Sequence, residues 1–224
     1  MVFSKRLILF SLFTISFSSF GLTVNNGAKP LPEWCSNDAS ACYLTYRNSE
    51  HENNRVKAVL FYIQYHSLLE KQFEFNQVLN DLDEVIEKGS VQAMLVKASI
   101  YSSGQYVNKD YNLVISILED VVNLEKGDKS VYSLLGGAYA NLFLSNVSEV
   151  SYYHSAKLYL AKAFKLGNHS VAFEMGYLLL TYGDKDDFFD AEEYLRYMYI
   201  NGNEEDKERF YNYLDLKSKM LKEN

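Results

Sequence analysis

Residues 157–184, KLYLAKAFKLGNHSVAFEMGYLLLTYGD, close one helical pattern at LGN and open another at HSVAFEMG. Residues 113–140, LVISILEDVVNLEKGDKSVYSLLGGAYA, have the same layout. Written from a common start, residues 89–128, 129–168 and 169–203 line up, and a Ser-Val pair opens each, at Ser90, Ser130 and Ser170. Each segment holds an apolar pattern of about 12 residues, a polar turn, a second helical pattern and a glycine stop. In the middle segment Ala156, Leu160, Ala163 and Phe164 fall at i, i+4, i+7 and i+8, one stripe of a helix. Val114, Ile117, Leu118, Val121 and Val122 do the same in the segment before it. Two helices per unit at this period predict a solenoid of αα-hairpins, because one hairpin cannot bury its own apolar face and needs a neighbour with the same surface.

The stops Gly89, Gly127, Gly167 and Gly202 suit a left-handed position after each helix. The serine of each Ser-Val pair is expected to cap the following helix. Residues 52–88 form an earlier, degenerate unit, with a turn expected near Glu70 and Gln72. After Gly202 an asparagine and three acids predict a capping helix over 204–224. Both prolines precede Trp34, so none interrupts the helical region.

The first 21 residues read as a secretory signal: Lys5 and Arg6, an apolar run over 7–17, and small residues Ser19 and Gly21 before a cut. The rival reading is an uncleaved anchor. Cleavage takes the formal charge from −7 to −9 as Lys5 and Arg6 leave. An acidic chain is a poor ligand for polyanions, so nucleic acid is not expected as a partner, and no other run is long and apolar enough for stable membrane insertion after cleavage. The expected location is the periplasm or the exterior.

Residues 22–51 would cap the N-terminal end, stapled by Cys35 and Cys42, the two cysteines of the chain. On one straight helix they would lie ~10.5 Å apart. A disulfide needs ~4.4–6.8 Å, so the chain must turn near SND. Such a bond contributes on the order of 2.5 kcal/mol in the chain-entropy model. Redox and zinc alternatives lack the C-x-x-C spacing or a second ligand pair.

These segments resemble the Sel-like repeat (SLR) proteins, a branch of the tetratricopeptide superfamily. The matching residues are Leu95, Tyr101, Gly104, Val107, Asp110 and Gly127 in the first unit. The middle unit has Leu135, Gly136, Tyr139, Ala156, Lys162, Ala163 and Gly167, and the last has Ala172, Met175, Gly176, Gly183, Ala191 and Gly202. The middle unit departs at LFLSNVSEVS, where a longer or different turn is expected. The resemblance implies an all-α, right-handed superhelix of about four helix pairs with a C-terminal capping helix. It also implies a concave face lined by the first helix of each pair. On the family's phase that face carries Tyr62, His66, Lys97, Tyr101, Ser133, Gly137, Asn141, Phe173, Tyr177 and Thr181.

Catalytic signatures are not found: there is no P-loop, G-x-S-x-G or HExxH, and HENNR puts Arg55 where a second zinc histidine belongs. DKDDFFDAEE fails as a calcium loop, with Phe188 and Leu195 at ligand positions. No cofactor or metal is expected. The resemblance points to a non-enzymatic adaptor or assembly factor of the bacterial envelope, holding a peptide or helix of another protein. Glycan or peptidoglycan binding is the alternative, since nineteen tyrosines supply stacking rings, although a single Trp argues mildly against it.

Overall fold

A computed structural model describes residues 30–35 and 38–222. The expected signal segment, 1–21, lies outside the described residues, as does part of the expected SND turn. The described chain is all-α: α1 (Ala39–Arg47), α2 (Glu52–Gln64), α3 (His66–Leu69), α4 (Phe75–Glu87), α5 (Val91–Ser103), α6 (Tyr111–Asn123), α7 (Lys129–Ser145), α8 (Val150–Lys165), α9 (Ala172–Tyr182), α10 (Lys185–Asn201) and α11 (Glu204–Lys222). A 3-10 turn, His169–Val171, leads into α9. From α4 to α11 consecutive helices pack on one another, α2 packs on α1, α3 and α4, and α5 also reaches α2 and α7. This is an αα-repeat solenoid.

The buried stripes follow the sequence. Val78, Leu82 and Val85 of α4, Val114, Leu118 and Val121 of α6, and Ala156, Leu160 and Ala163 of α8 are all fully buried. Burying a leucine or valine stabilises by roughly 1.5–3 kcal/mol, so these seams outweigh any single surface contact. Closeness at the seams depends on small residues. A Cβ on Gly136 would sit 2.8 Å from the backbone nitrogen of Leu160, so α7 and α8 meet at van der Waals limits there.

Helix ends differ from expectation in an informative way. Ser90 caps α5, its hydroxyl accepting from Ala93 N–H at 3.3 Å. Ser130 does not cap α7: Asp128, two residues earlier, accepts from the N–H groups of Ser130 and Val131 at 2.8 and 3.0 Å. A carboxylate satisfies two orphan donors and meets the positive end of the helix dipole, which a serine hydroxyl does less well. Ser170 lies in the 3-10 turn and bonds Asn168 Oδ1 at 2.6 Å. The repeated Ser-Val pair therefore marks the register but not a shared cap.

The glycine stops split likewise. Helices α4, α6 and α8 end in Schellman turns, with 6→1 bonds Ser90 N to Val85 O (3.3 Å), Lys126 N to Val121 O (3.2 Å) and Asn168 N to Ala163 O (2.9 Å). Gly89 (φ 87°) and Gly167 (φ 88°) hold the left-handed position, but after α6 it is Glu125 at φ 57°. Gly127 serves a different purpose, since a Cβ there would meet the Tyr132 hydroxyl at 2.5 Å. Gly202 has extended backbone, and glycine suits it through close approach instead, since a Cβ there would sit 2.6 Å from Met198 O.

The turn within each pair shortens along the chain, from 104–110 to 146–149 to 183–184. In the middle unit the departure from the family pattern is absorbed by longer helices, 17 and 16 residues against 13 and 13 in the unit before. In the first unit Asp110 caps α6, accepting from Leu113 N–H at 3.0 Å, and its own N–H reaches Tyr101 O at 3.3 Å. At the last unit Asp184 and Asp187 form a reciprocal capping box at the start of α10. The acidic DKDDFFDAEE stretch is thus a helix start.

Cys35 and Cys42 are joined, with Cα atoms 5.8 Å apart, Cys42 on α1 and Cys35 in the segment before it. Arg47 of α1 grips Asp81 of α4 through two bonds, 2.5 and 3.2 Å, tying the N-terminal cap to the first pair. At the other end Asn203 and Asp206 cap each other's backbone at 3.1 Å, and α11 buries Phe210 and Tyr213.

Two substitutions test these points by urea denaturation. Glu125→Gly relieves the left-handed strain and is expected to raise stability by about 1 kcal/mol. Gly136→Ala improves helix propensity by about 1 kcal/mol, yet crowding Leu160 is expected to outweigh this for a net loss of about 1–2 kcal/mol. A net gain would show that α7 and α8 can part without penalty.

Candidate functional site

The residues expected on the first-helix face fall into three groups. Tyr62, Ser133 and Gly137 are buried. Tyr62 donates to Phe73 O at 2.8 Å, pinning the turn before α4. His66, Lys97, Tyr101, Asn141, Phe173 and Tyr177 are half-buried, and Thr181 is exposed. The side chains that reach the surface from this set are therefore concentrated on α5, α7 and α9.

Several of these have local partners. His66 Nδ1 lies 3.3 Å from Glu70 Oε2, and its ring packs on Tyr62 and Tyr106. Lys97 is held by Asp83 at 2.5 Å. Asn141 Nδ2 donates to Gly137 O at 2.8 Å, back along its own helix. Phe173 lies under the Arg209 guanidinium at 4.6 Å, an arginine also bound by Asp206 at 2.9 Å. Tyr177 meets Tyr182 edge-on, and Tyr182 in turn meets Phe143, so rings link α7 to α9.

Sequence reasoning missed Glu174 on this face. It lies at i relative to Tyr177 at i+3 and Thr181 at i+7, so the three share one side of α9. The residue keeps a little exposed surface, but its Oε2 is enclosed and accepts no hydrogen bond. Burial alone pushes its carboxyl up from 4.5 to about 8. The signal was present in the register: the forty-residue offset places Leu134 and Met94 at the equivalent positions, both apolar.

A second buried acid has the opposite environment. Asp187 of α10 accepts from the Tyr153 hydroxyl at 2.5 Å, from Lys157, and from its capping partner's N–H at 3.3 Å. Burial would raise its carboxyl, but the bonds from Lys157 and Tyr153 offset this and hold it below the ordinary value. Burial and the same carboxylate push the Tyr153 phenol up. This network joins α8 to α10 and is satisfied, so it serves the fold.

The tyrosines largely serve packing. Tyr132, Tyr159 and Tyr139 stack in sequence with centroids 6.1 and 5.8 Å apart, between α7 and α8, and Tyr152 packs tilted against Tyr139 at 6.1 Å. Lys162 covers the Tyr132 end at 3.9 Å, and the Tyr139 hydroxyl donates to Glu119 of α6 at 2.7 Å. The ring faces in this stack are turned to one another.

The Glu174 environment gives a pH test. Its folded carboxyl titrates above the unfolded value of 4.5, so between 4.5 and about 8 the folded chain keeps a proton that the unfolded chain releases. Stability from this group is therefore complete at low pH and lost as pH rises through the folded value, by an upper bound of about 5 kcal/mol. Glu174→Gln is expected to shrink the drop in unfolding free energy between pH 5 and pH 9 by a few kcal/mol. An unchanged drop would show that the carboxyl is not enclosed in solution.

No family model matches the sequence, and no curated protein does. Among solved structures, a Sel1 repeat protein from Oxalobacter formigenes is similar, with a TM-score of 0.52 and 20% sequence identity. The match covers 74% of this chain and 66% of that one, so this chain spans just under two thirds of that protein's length. The paired helices agree with that likeness, and the chain has the αα-repeat fold of a Sel1 repeat protein.

Proposed function

We propose that this protein is a non-enzymatic repeat scaffold that binds another protein, as an adaptor or assembly factor in the bacterial envelope. The observation that carries the reading is the solenoid itself, whose first helices α5, α7 and α9 place Lys97, Tyr101, Asn141, Phe173, Tyr177 and Thr181 at or near the surface in repeating register. A repeat stack offers a long surface of stiff side chains that can take an extended segment or a helix. Tyrosine suits such a surface because it gives large contact area at little conformational cost.

The export half of the reading is supported by the Cys35–Cys42 bond, which persists in oxidising compartments. The signal-like residues 1–21 point the same way, and no described helix is long and apolar enough to cross a membrane. Glycan binding receives no separate support, since the stacked tyrosines present their faces to each other and Trp34 lies at the N-terminal end rather than on α5, α7 or α9.

Affinity capture from envelope extract tests the proposal, using the exported protein and a Tyr101→Ala, Asn141→Ala, Tyr177→Ala variant whose melting curve shows it folded. A protein retained by the first and lost, by about tenfold or more, with the second is the expected outcome. Sedimentation with peptidoglycan and no variant-sensitive protein would replace the adaptor reading with wall binding.

A further inference from the structure

A carboxylate enclosed without a donor destabilises a fold. Glu174 is such a group, and its Oε2 has no hydrogen-bond partner. Leu134 and Met94, at the same register in the two preceding units, show that the repeat accommodates an apolar side chain there. Leu134 is buried and Met94 packs against the same core, so the position is part of the seam that Glu174 interrupts. The Glu174 shift has burial as its whole cause, with no charged side chain offsetting it. The basic side chain over the neighbouring Phe173 ring is committed elsewhere: Arg209 is held by Asp206 and Glu205. The chain as a whole is acidic, with a formal charge of −7.

We propose that Glu174 receives a basic side chain, lysine or arginine, from a polypeptide laid across α7 and α9. This rests on the interaction-face reading above and adds the chemistry of its partner. Tyr177 and Thr181, on the same side of α9, supply a ring and a methyl group along which the aliphatic stem of a lysine or arginine lies. The ring also attracts the charged head. Glu174 keeps a little exposed surface, and a cation pairing with the carboxyl through it stabilises the ionised form that burial disfavours. The same geometry explains why the position tolerates an acid: the group is unfavourable in the free scaffold and favourable in the complex.

Selection from a random dodecapeptide phage library tests this. The targets are the full exported chain, Glu174→Gln, Glu174→Leu, and an Asn141→Ala, Tyr177→Ala double variant, each confirmed as folded by its melting curve. The expected result is peptides that bind the chain, are lost in the double variant, and carry lysine or arginine at one fixed position. The synthetic peptide should bind Glu174→Gln and Glu174→Leu about ten- to a hundredfold more weakly. Changing its basic residue to norleucine should weaken binding to the unaltered chain by the same factor, and leave binding to Glu174→Leu unchanged. Peptides that need Asn141 and Tyr177 but show no basic position, or bind Glu174→Leu as well as the unaltered chain, would overturn this inference and leave the interaction face standing. Selection of no peptide that depends on Asn141 and Tyr177 would overturn both.

Discussion

The fold depends on how closely α7 can approach α8. At Gly136 the two helices leave no room for a methyl group, since Leu160 fills the space from the other side. That contact fixes how closely the two helices of the middle unit approach. Met175 and Leu195 meet across α9 and α10 within one buried cluster, and Gly176 faces Leu195 at a looser 3.3 Å. A repeat protein has few long-range contacts to correct a misplaced helix, so the spacing at each seam must be right locally. Small residues at the seam achieve this through shape, without polar bonds.

Sequence reading recovered what periodicity encodes. The stripes on α4, α6 and α8, the glycines at 89 and 167, and the break before α11 all follow from spacing and turn chemistry. What it misplaced were ends decided by competition between neighbours. Asp128 outbids Ser130 for the cap because it lies nearer the free N–H groups and carries charge. Glu125 rather than Gly127 takes the left-handed position, because α6 ends at Asn123 and its Schellman turn closes at Lys126, before the glycine is reached. Neither outcome is visible in the spacing alone. The phase assigns candidate face residues to particular helices, but it does not report their burial. Tyr62 and Ser133 lie on the expected rows and are nonetheless covered, because α3 and the turn before α4 fold over one and neighbouring helices enclose the other.

The two buried acids show how one residue type can serve opposite ends. Asp187 sits within reach of a phenol, an ammonium and a backbone N–H, so ionisation is stabilised and the group ties α8 to α10. Glu174, thirteen positions earlier on the adjacent helix, has burial without those bonds. In energetic terms the first is a completed network and the second an open one. Completed polar networks specify a fold, whereas open ones leave a preference for something that is not yet present.

The ends of the stack are secured by different means. At the N-terminal end a covalent bond and the two-pronged Arg47–Asp81 contact hold α1 against the first pair. At the C-terminal end α11 is held by burial of Phe210 and Tyr213 and by Lys217 on Glu192, while Tyr211, Leu214 and Leu221 remain exposed. In a linear stack, opening begins where an element has one neighbour and propagates inward. Amide protons of α11 would therefore exchange with solvent ahead of those in α1. The molecule has a mechanical polarity, with one end sewn shut and the other able to unzip.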